Sequence, residues 1–164
     1  MLTKDGHNCD AVIKTPFPGN KTHLAIRVKH DDLLELSFVT AAMSIKSPVS
    51  TAAKKVVEQL NAYFMDPDYL FSLPLSPEGT PFQKHVWKML CRCPKGKVWS
   101  YGDLAKKVNS GPRAVANACR RNPIPIIVPC HRIVSTTGIG GYSGKTTGNN
   151  VKIKQWLLQH ESAI

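Results

Sequence analysis

The stretch LFSLPLSPEGT, residues 70–80, most constrains how this chain can fold. It holds two prolines, two serines and a glycine in eleven residues. Proline removes a backbone donor and glycine loosens the chain, so neither a helix nor a central strand runs through such a segment. The charge balance changes at the same place. Residues 1–79 carry 8 Lys/Arg against 9 Asp/Glu, a net of −1, whereas residues 80–164 carry 14 against 2, a net of +12. A break in composition that coincides with a break in charge reads as a linker between two small domains, 1–75 and 76–164. The basic half suits contact with a polyanion, although charge alone equally describes a solvated basic surface.

The first half changes hydrophobic period once. THLAIRVK (22–29) alternates, with Leu24, Ile26 and Val28 on one face, and LLELSFVT (33–40) places Leu34, Leu36 and Phe38 on one face. With Asp31-Asp32 as the turn, the pair is a β-hairpin on a half-buried sheet. Residues 51–65 shift to helical spacing, with Ala53, Val56, Val57, Leu60 and Phe64 on one stripe, Ser50 as the cap and Asp66-Pro67 as the stop. The chain is therefore α/β.

The second half is mainly helical. Phe82, Val86, Met89, Leu90 and Cys93 trace a helix that stops at Pro94 and Gly96. KVWS is a short strand or extended link. Ser100 with Asp103 three residues on opens a helix as a capping box, and Pro112 suits the first position of the next. Two short helices joined by the tight turn NSG, the second of them basic, outline a helix-turn-helix, a pattern shared with helical hairpins that bind nothing. IPIIVPCH is apolar and extended, STTGIGGYSGK is a glycine-rich loop without phosphate-loop spacing, and NVKIKQWLLQHE is the last helix.

Several classes are set aside. No apolar run is long enough to span a bilayer, no charged-then-apolar start resembles a secretory signal, and five cysteines is an odd count for a disulfide framework. These features suggest a soluble, cytoplasmic protein with no membrane partner. Cys91-x-Cys93 lacks zinc-knuckle spacing, and His7, Cys9, His23 and His30 show no paired spacing, so no metal is expected.

The stretch IVPCHRI (127–133) is the chemical candidate. Cys130 precedes two potentially cationic residues, His131 and Arg132. Positive neighbours lower a thiol pKa, and the thiolate is the nucleophile, so a low-pKa Cys130 is expected. In extended chain, adjacent side chains point to opposite sides, which would make His131 act through a water. Glu161, one of only two acids in the basic half, could orient His131. The plain alternatives are a structural cysteine in a core strand and an exposed helix-end acid.

The segment RAVANACRRNPIPIIVPCHRI, followed in order by GGYSG and WLLQHE, closely resembles the O6-alkylguanine-DNA alkyltransferases, the methylated-DNA–protein-cysteine methyltransferases. The resemblance covers roughly residues 80–161. It implies a small ribonuclease-like α/β domain followed by a helical, winged-helix-like DNA-binding domain with a helix-turn-helix. It implies Cys130 as the alkyl acceptor, His131 and Glu161 as its activators through a water, and Asn122 as the brace of the active-site turn. It implies Arg113 as the residue that replaces a flipped base and Tyr101 as the one that pushes the nucleotide out. Lys106, Arg120 and Arg121 would bind DNA. Tyr101, Tyr142 and the backbone of Ile133 and Ser143 would line the guanine pocket.

The function so implied is direct repair: a monomer binds double-stranded DNA containing O6-alkylguanine and moves the alkyl group irreversibly onto its own cysteine, with no cofactor. Whether O4-alkylthymine also reacts stays open. A helix-turn-helix regulator would explain the basic helices but not PCHR, a non-catalytic lesion sensor would carry another residue at position 130, and a Cys-His hydrolase would need an oxyanion site.

Overall fold

The structure is a computed structural model and describes residues 8–164. The chain divides into two compact units, Met1–Pro77 and Glu78–Ile164. Among the described residues no helix is long and apolar enough to cross a membrane.

In the first unit, β1 (Ala11–Lys14), β2 (Thr22–Lys29) and β3 (Asp32–Thr40) form an antiparallel sheet in the order β1-β2-β3. The β2–β3 hairpin follows the alternation in the sequence up to Arg27/Val28, where a register shift interrupts it. The expected half-buried sheet is covered on both faces near β2. Leu24 and Ile26 are buried on one face, and Ala25 packs with Cys9 and Val12 on the other. β1 carries only four residues, too few for a readable alternation.

Helix α1 (Thr51–Met65) starts at Ser50, whose hydroxyl accepts from the Ala53 N–H, and ends at Asp66. Such a cap contributes about 1 kcal/mol. Its buried stripe is Ala53, Val56, Gln59, Leu60 and Tyr63. Phe17 meets Phe38 and Phe64 edge-on, with ring centroids 5.9 and 5.7 Å apart.

The stretch expected as a free linker is tied down along most of its length. The Gln59 amide donates to the Ser72 carbonyl at 3.1 Å and accepts from the Ser72 N–H at 2.8 Å. Leu33 donates to Pro74 and accepts from Ser76, both at 2.9 Å. Pro74 contributes only its carbonyl, which is how proline fits beside a sheet edge.

The second unit holds α2 (Pro81–Leu90), β4 (Trp99–Ser100), α3 (Tyr101–Lys107), α4 (Pro112–Arg120), β5 (Ile133–Val134) and α5 (Asn149–His160). Capping boxes open α2 at Thr80/Gln83 and α3 at Ser100/Asp103. The Trp87 indole donates to the Ala118 carbonyl at 2.8 Å and ties α2 to α4. Helix α2 stops at Leu90, so Cys93 is buried in the turn after it rather than on the helix. The parallel β4–β5 pairing, Trp99 with Ile133, ties the start of α3 to the segment after Cys130. That segment is not extended as expected. Residues Ile124–Val128 turn, and Cys130–Arg132 form one 3₁₀ turn.

Candidate active site

The turn that presents Cys130 is strained. Ile126 has φ +76°, a conformation that is a genuine outlier for a β-branched residue. Such strain costs on the order of 1–3 kcal/mol and persists only where the surroundings impose it. Asn122 imposes it here. Its side-chain oxygen accepts from the Ile124 N–H at 3.0 Å, and its amide nitrogen donates to the Val128 carbonyl at 2.9 Å. The same nitrogen lies 3.1 Å from the Cys130 sulfur, to which it donates.

Cys130 borders a cavity of about 240 Å³ whose wall includes Tyr101, Cys119, Arg120, Tyr142 and Ser143. The far wall is the glycine-rich loop. Tyr142 and Lys145 exchange backbone hydrogen bonds at 2.7 and 3.0 Å across Ser143 and Gly144, both with positive φ. A side chain at Gly144 would meet the Arg120 stem at 3.2 Å, and one at Gly141 would meet the Lys145 carbonyl at 2.8 Å. The loop's close approach is to its own chain and to α4.

Electrostatics correct one expectation. Cys130 is buried, and burial pushes its thiol above the usual cysteine value, against the opposing pull of the Asn122 hydrogen bond and the Lys154 charge. Neither cationic neighbour supplies the charge expected of it. The Arg132 guanidinium grips Glu161 through Nε (2.9 Å) and Nη2 (2.9 Å), and donates from Nη1 to the Cys93 carbonyl at 2.7 Å. His131 is fully buried, which lowers its pKa and holds it neutral despite Glu161.

The His131–Glu161 pair sits 3.0 Å apart, from Nε2 to Oε1. Burial alone would raise the Glu161 pKa, but the hydrogen bonds and charges of His131 and Arg132 outweigh it and hold the carboxyl well below the usual range. A carboxylate only accepts, so Nε2 carries the hydrogen and Nδ1 keeps its lone pair. Nδ1 is buried with no hydrogen-bond partner among the described residues. The imidazole is thereby set as a neutral base whose open nitrogen is Nδ1. Burial, with the nearby Cys119 and Cys130, pushes the Tyr101 phenol up to about 12, so it stays a donor.

The cavity thus brings together Cys130, Tyr101, Tyr142, Ser143 and Arg120, and the turn brings in Asn122, His131 and Glu161. Ile133 lies off this cavity wall, fully buried in β5, where its carbonyl accepts from the Lys154 ammonium. Arg113, Lys106 and Arg121 are exposed and lie off the cavity wall. Among the described residues no group of three His, Cys, Asp or Glu could hold a metal ion. His23 meets the Met43 carbonyl at 3.1 Å, and His7 lies outside the described residues.

The family profile described as 6-O-methylguanine DNA methyltransferase, DNA binding domain, matches residues 81–163. The chain belongs to this family. A methylated-DNA–protein-cysteine methyltransferase of Methanosarcina mazei is 45% identical over 66% of this chain and 67% of its own. The crystal structure of the Mycobacterium tuberculosis O6-methylguanine methyltransferase superposes with a TM-score of 0.75 at 31% identity, covering 93% of this chain and 91% of that one. A structure of the M. tuberculosis protein in complex with DNA gives 0.73 at 32% identity, with the same coverage. The mixed α/β architecture is that of known alkyltransferases.

Three side chains of this alkyltransferase-family site escaped sequence reasoning. Arg132 was read as a cationic neighbour of Cys130, whereas it holds Glu161. Cys119, buried in α4, borders the cavity. Lys154 is fully buried. A signal for it existed: Ile153, Lys154, Leu157 and Leu158 are the buried residues of α5, and a lysine on an apolar face requires a reason.

Proposed function

We propose that this protein repairs DNA by moving an alkyl group from O6-alkylguanine to Cys130, once per molecule. The observation that carries the reading is the Cys130 sulfur at the wall of a base-sized cavity, with an Asn122 N–H on it and the neutral His131, bonded to the Glu161 carboxylate, next to it in the chain.

Double-stranded DNA docks on the basic second unit, with α3 and α4 acting as a winged-helix-like helix-turn-helix. Lys106, Arg120 and Arg121 contact phosphates, a salt-sensitive and sequence-independent term. The first unit is the ribonuclease-like domain. The alkyl carbon is out of reach inside the stack, so the nucleotide is flipped. Flipping costs a few kcal/mol, and less for a badly paired base. Tyr101 pushes the nucleotide out, and Arg113, exposed at the start of α4, fills the gap in the duplex. Tyr142 and Ser143 receive the base.

His131 accepts the thiol proton at Nδ1 through a water, and Glu161 steadies the imidazole. The thiolate attacks the alkyl carbon in line, forming a sulfur–carbon bond as the carbon–oxygen bond breaks; the bonding pair leaves on guanine, which takes up a proton as His131 returns its own through the water. A thioether is a poor leaving group, so the chemistry calls for no cofactor and gives no turnover. All five cysteines are free thiols, which suits a monomer working in a reducing cytoplasm.

The test is transfer of radiolabelled methyl from alkylated duplex DNA to the protein. One methyl per chain, located on Cys130, is expected. Cys130→Ser should abolish transfer and keep DNA binding, since a serine hydroxyl is a far weaker nucleophile. Label on Cys119 or Cys91, or more than one methyl per chain, would refute the reading.

A further inference from the structure

Helix α2 carries charge that its own stability does not explain. Lys84 and Lys88 on the helix and Arg92 in the turn after it follow at four-residue steps, and all three are exposed. Side chains four apart on a helix are neighbours, so like charges there repel. Lys84 also sits within about one turn of the helix N-terminus, where the backbone dipole disfavours a cation. Among the described residues none of the three pairs with an acid. The two acids of residues 80–164 are engaged elsewhere, Asp103 as the cap of α3 and Glu161 with His131 and Arg132. Lys88 and Arg92, with His85 and Met89, line one groove of about 170 Å³.

This face turns away from the exposed side of α4. Val86, Trp87 and Leu90 are the buried side of α2, and the Trp87 indole donates to the Ala118 carbonyl. Val115, Ala118 and Cys119 are the buried side of α4. The two helices meet through their buried sides, so a duplex lying on the exposed Arg113 and Arg121 does not reach Lys84, Lys88 and Arg92. A phosphate backbone suits the row. Duplex DNA presents one negative charge per about 1.7 Å of its axis, and cations spread over roughly 12 Å of helix meet several of them in any register. A protein partner or a membrane surface would be gripped by apolar anchors among the cations. Phe82, in the first turn, is the exposed large apolar side chain of α2 among the described residues.

We propose that the outer face of α2 is a second, sequence-independent binding surface for duplex DNA, so that one molecule holds two duplex segments at once. The proposal rests on the repair reading only for the first duplex, on α3 and α4. The second contact is electrostatic and releases counter-ions, so it weakens steeply with salt. It lets the molecule form a new contact with one segment before it leaves another, which widens the search for a rare lesion.

The test mixes the full chain with two short unmodified duplexes, one carrying a donor dye and the other an acceptor. Energy transfer between them is expected at low salt, and sedimentation should find one chain with two duplexes. Lys84→Gln, Lys88→Gln and Arg92→Gln together should abolish the energy transfer and leave methyl transfer from a single short methylated duplex unchanged. No energy transfer in the wild type, or energy transfer that survives in the triple variant, would overturn the proposal. An equal loss of methyl transfer would place the three residues in the lesion interface, and complexes with one chain per duplex would make the bridge a contact between chains; either result overturns it as well. Polyglutamate held on this face in place of the second duplex would mark a protein partner and also overturn it. If the triple variant does not fold, Lys88→Gln alone decides, and it should flatten the salt dependence of the energy transfer by roughly one ion. Wild-type protein that bridges duplexes yet accepts no methyl from DNA would refute the repair reading alone.

Discussion

The two units of this chain build their cores differently. In the first, the buried side chains are aliphatic and aromatic, with Thr22 and Gln59 the buried polar ones among the described residues. In the second, His131, Lys154 and Glu161 are all buried. Its ion pair Arg132–Glu161 is buried at the glutamate, while the Arg27–Glu35 pair of the first unit is only partly covered. Burying charge is unfavourable unless every charge is paired, so a core that contains it is organised for something other than stability. The second unit keeps these groups on the turn that carries Cys130 and on the last helix and its C-cap.

Removing one partner on each side sharpens this comparison most. Glu161→Gln takes the counter-charge from Arg132 and leaves one amide oxygen to accept from both Arg132 and the buried His131, and should cost about 3–5 kcal/mol. Glu35→Gln should cost no more than about 1 kcal/mol. Thermal or urea unfolding of the full chain measures both, and equal losses would erase the distinction.

Next in size is Asn122→Ala. It deletes two hydrogen bonds to the backbone around Ile126 and one to the Cys130 sulfur. At about 1 kcal/mol each, the turn loses on the order of 2–3 kcal/mol of support while its strain remains. Methyl transfer should slow more than DNA binding weakens, and the reverse order would show that Asn122 only folds the domain.

Acidification acts on the second unit through two buried groups, His131 and Glu161. Burial holds the folded His131 below its ordinary 6.5, so the unfolded chain takes up that proton first and stability declines as pH falls through 6.5. The folded Glu161 lies below its ordinary 4.5, so the stability it contributes is present above 4.5 and is lost as pH falls further. Melting temperatures from pH 7 to pH 4 should fall in both windows. The lower window should vanish in Glu161→Gln.

The smallest effects belong to the exposed surface. Arg113→Ala should slow repair of duplex lesions while reaction with free alkylguanine base is unchanged, and equal slowing on both substrates would reject an intrahelical role. Lys106→Ala should weaken binding modestly and flatten its salt dependence by roughly one ion. Fluorescence titrations at two or three salt concentrations measure that slope.

The sequence by itself determined the elements whose signals are local. Ser50 and Ser100 cap helices because a hydroxyl there reaches a backbone N–H three residues on, whatever packs elsewhere. The β2–β3 hairpin followed from alternation until the bulge at Arg27/Val28, which no alternation encodes. The resemblance to the alkyltransferases pointed at Cys130, His131, Glu161, Asn122, Tyr101 and Tyr142, because each lies in a short motif that can be read along the chain. What the tertiary structure decided is which charges meet. Arg132 follows Cys130 by two positions, yet its guanidinium turns to Glu161, 29 residues away. Lys154 precedes Glu161 on the same helix, yet it binds Ile133 and Gly141. A pKa depends on burial and on distance in space, and a linear spacing carries neither. The positive neighbours therefore suggested an acidic thiol, while the folded core raises that thiol.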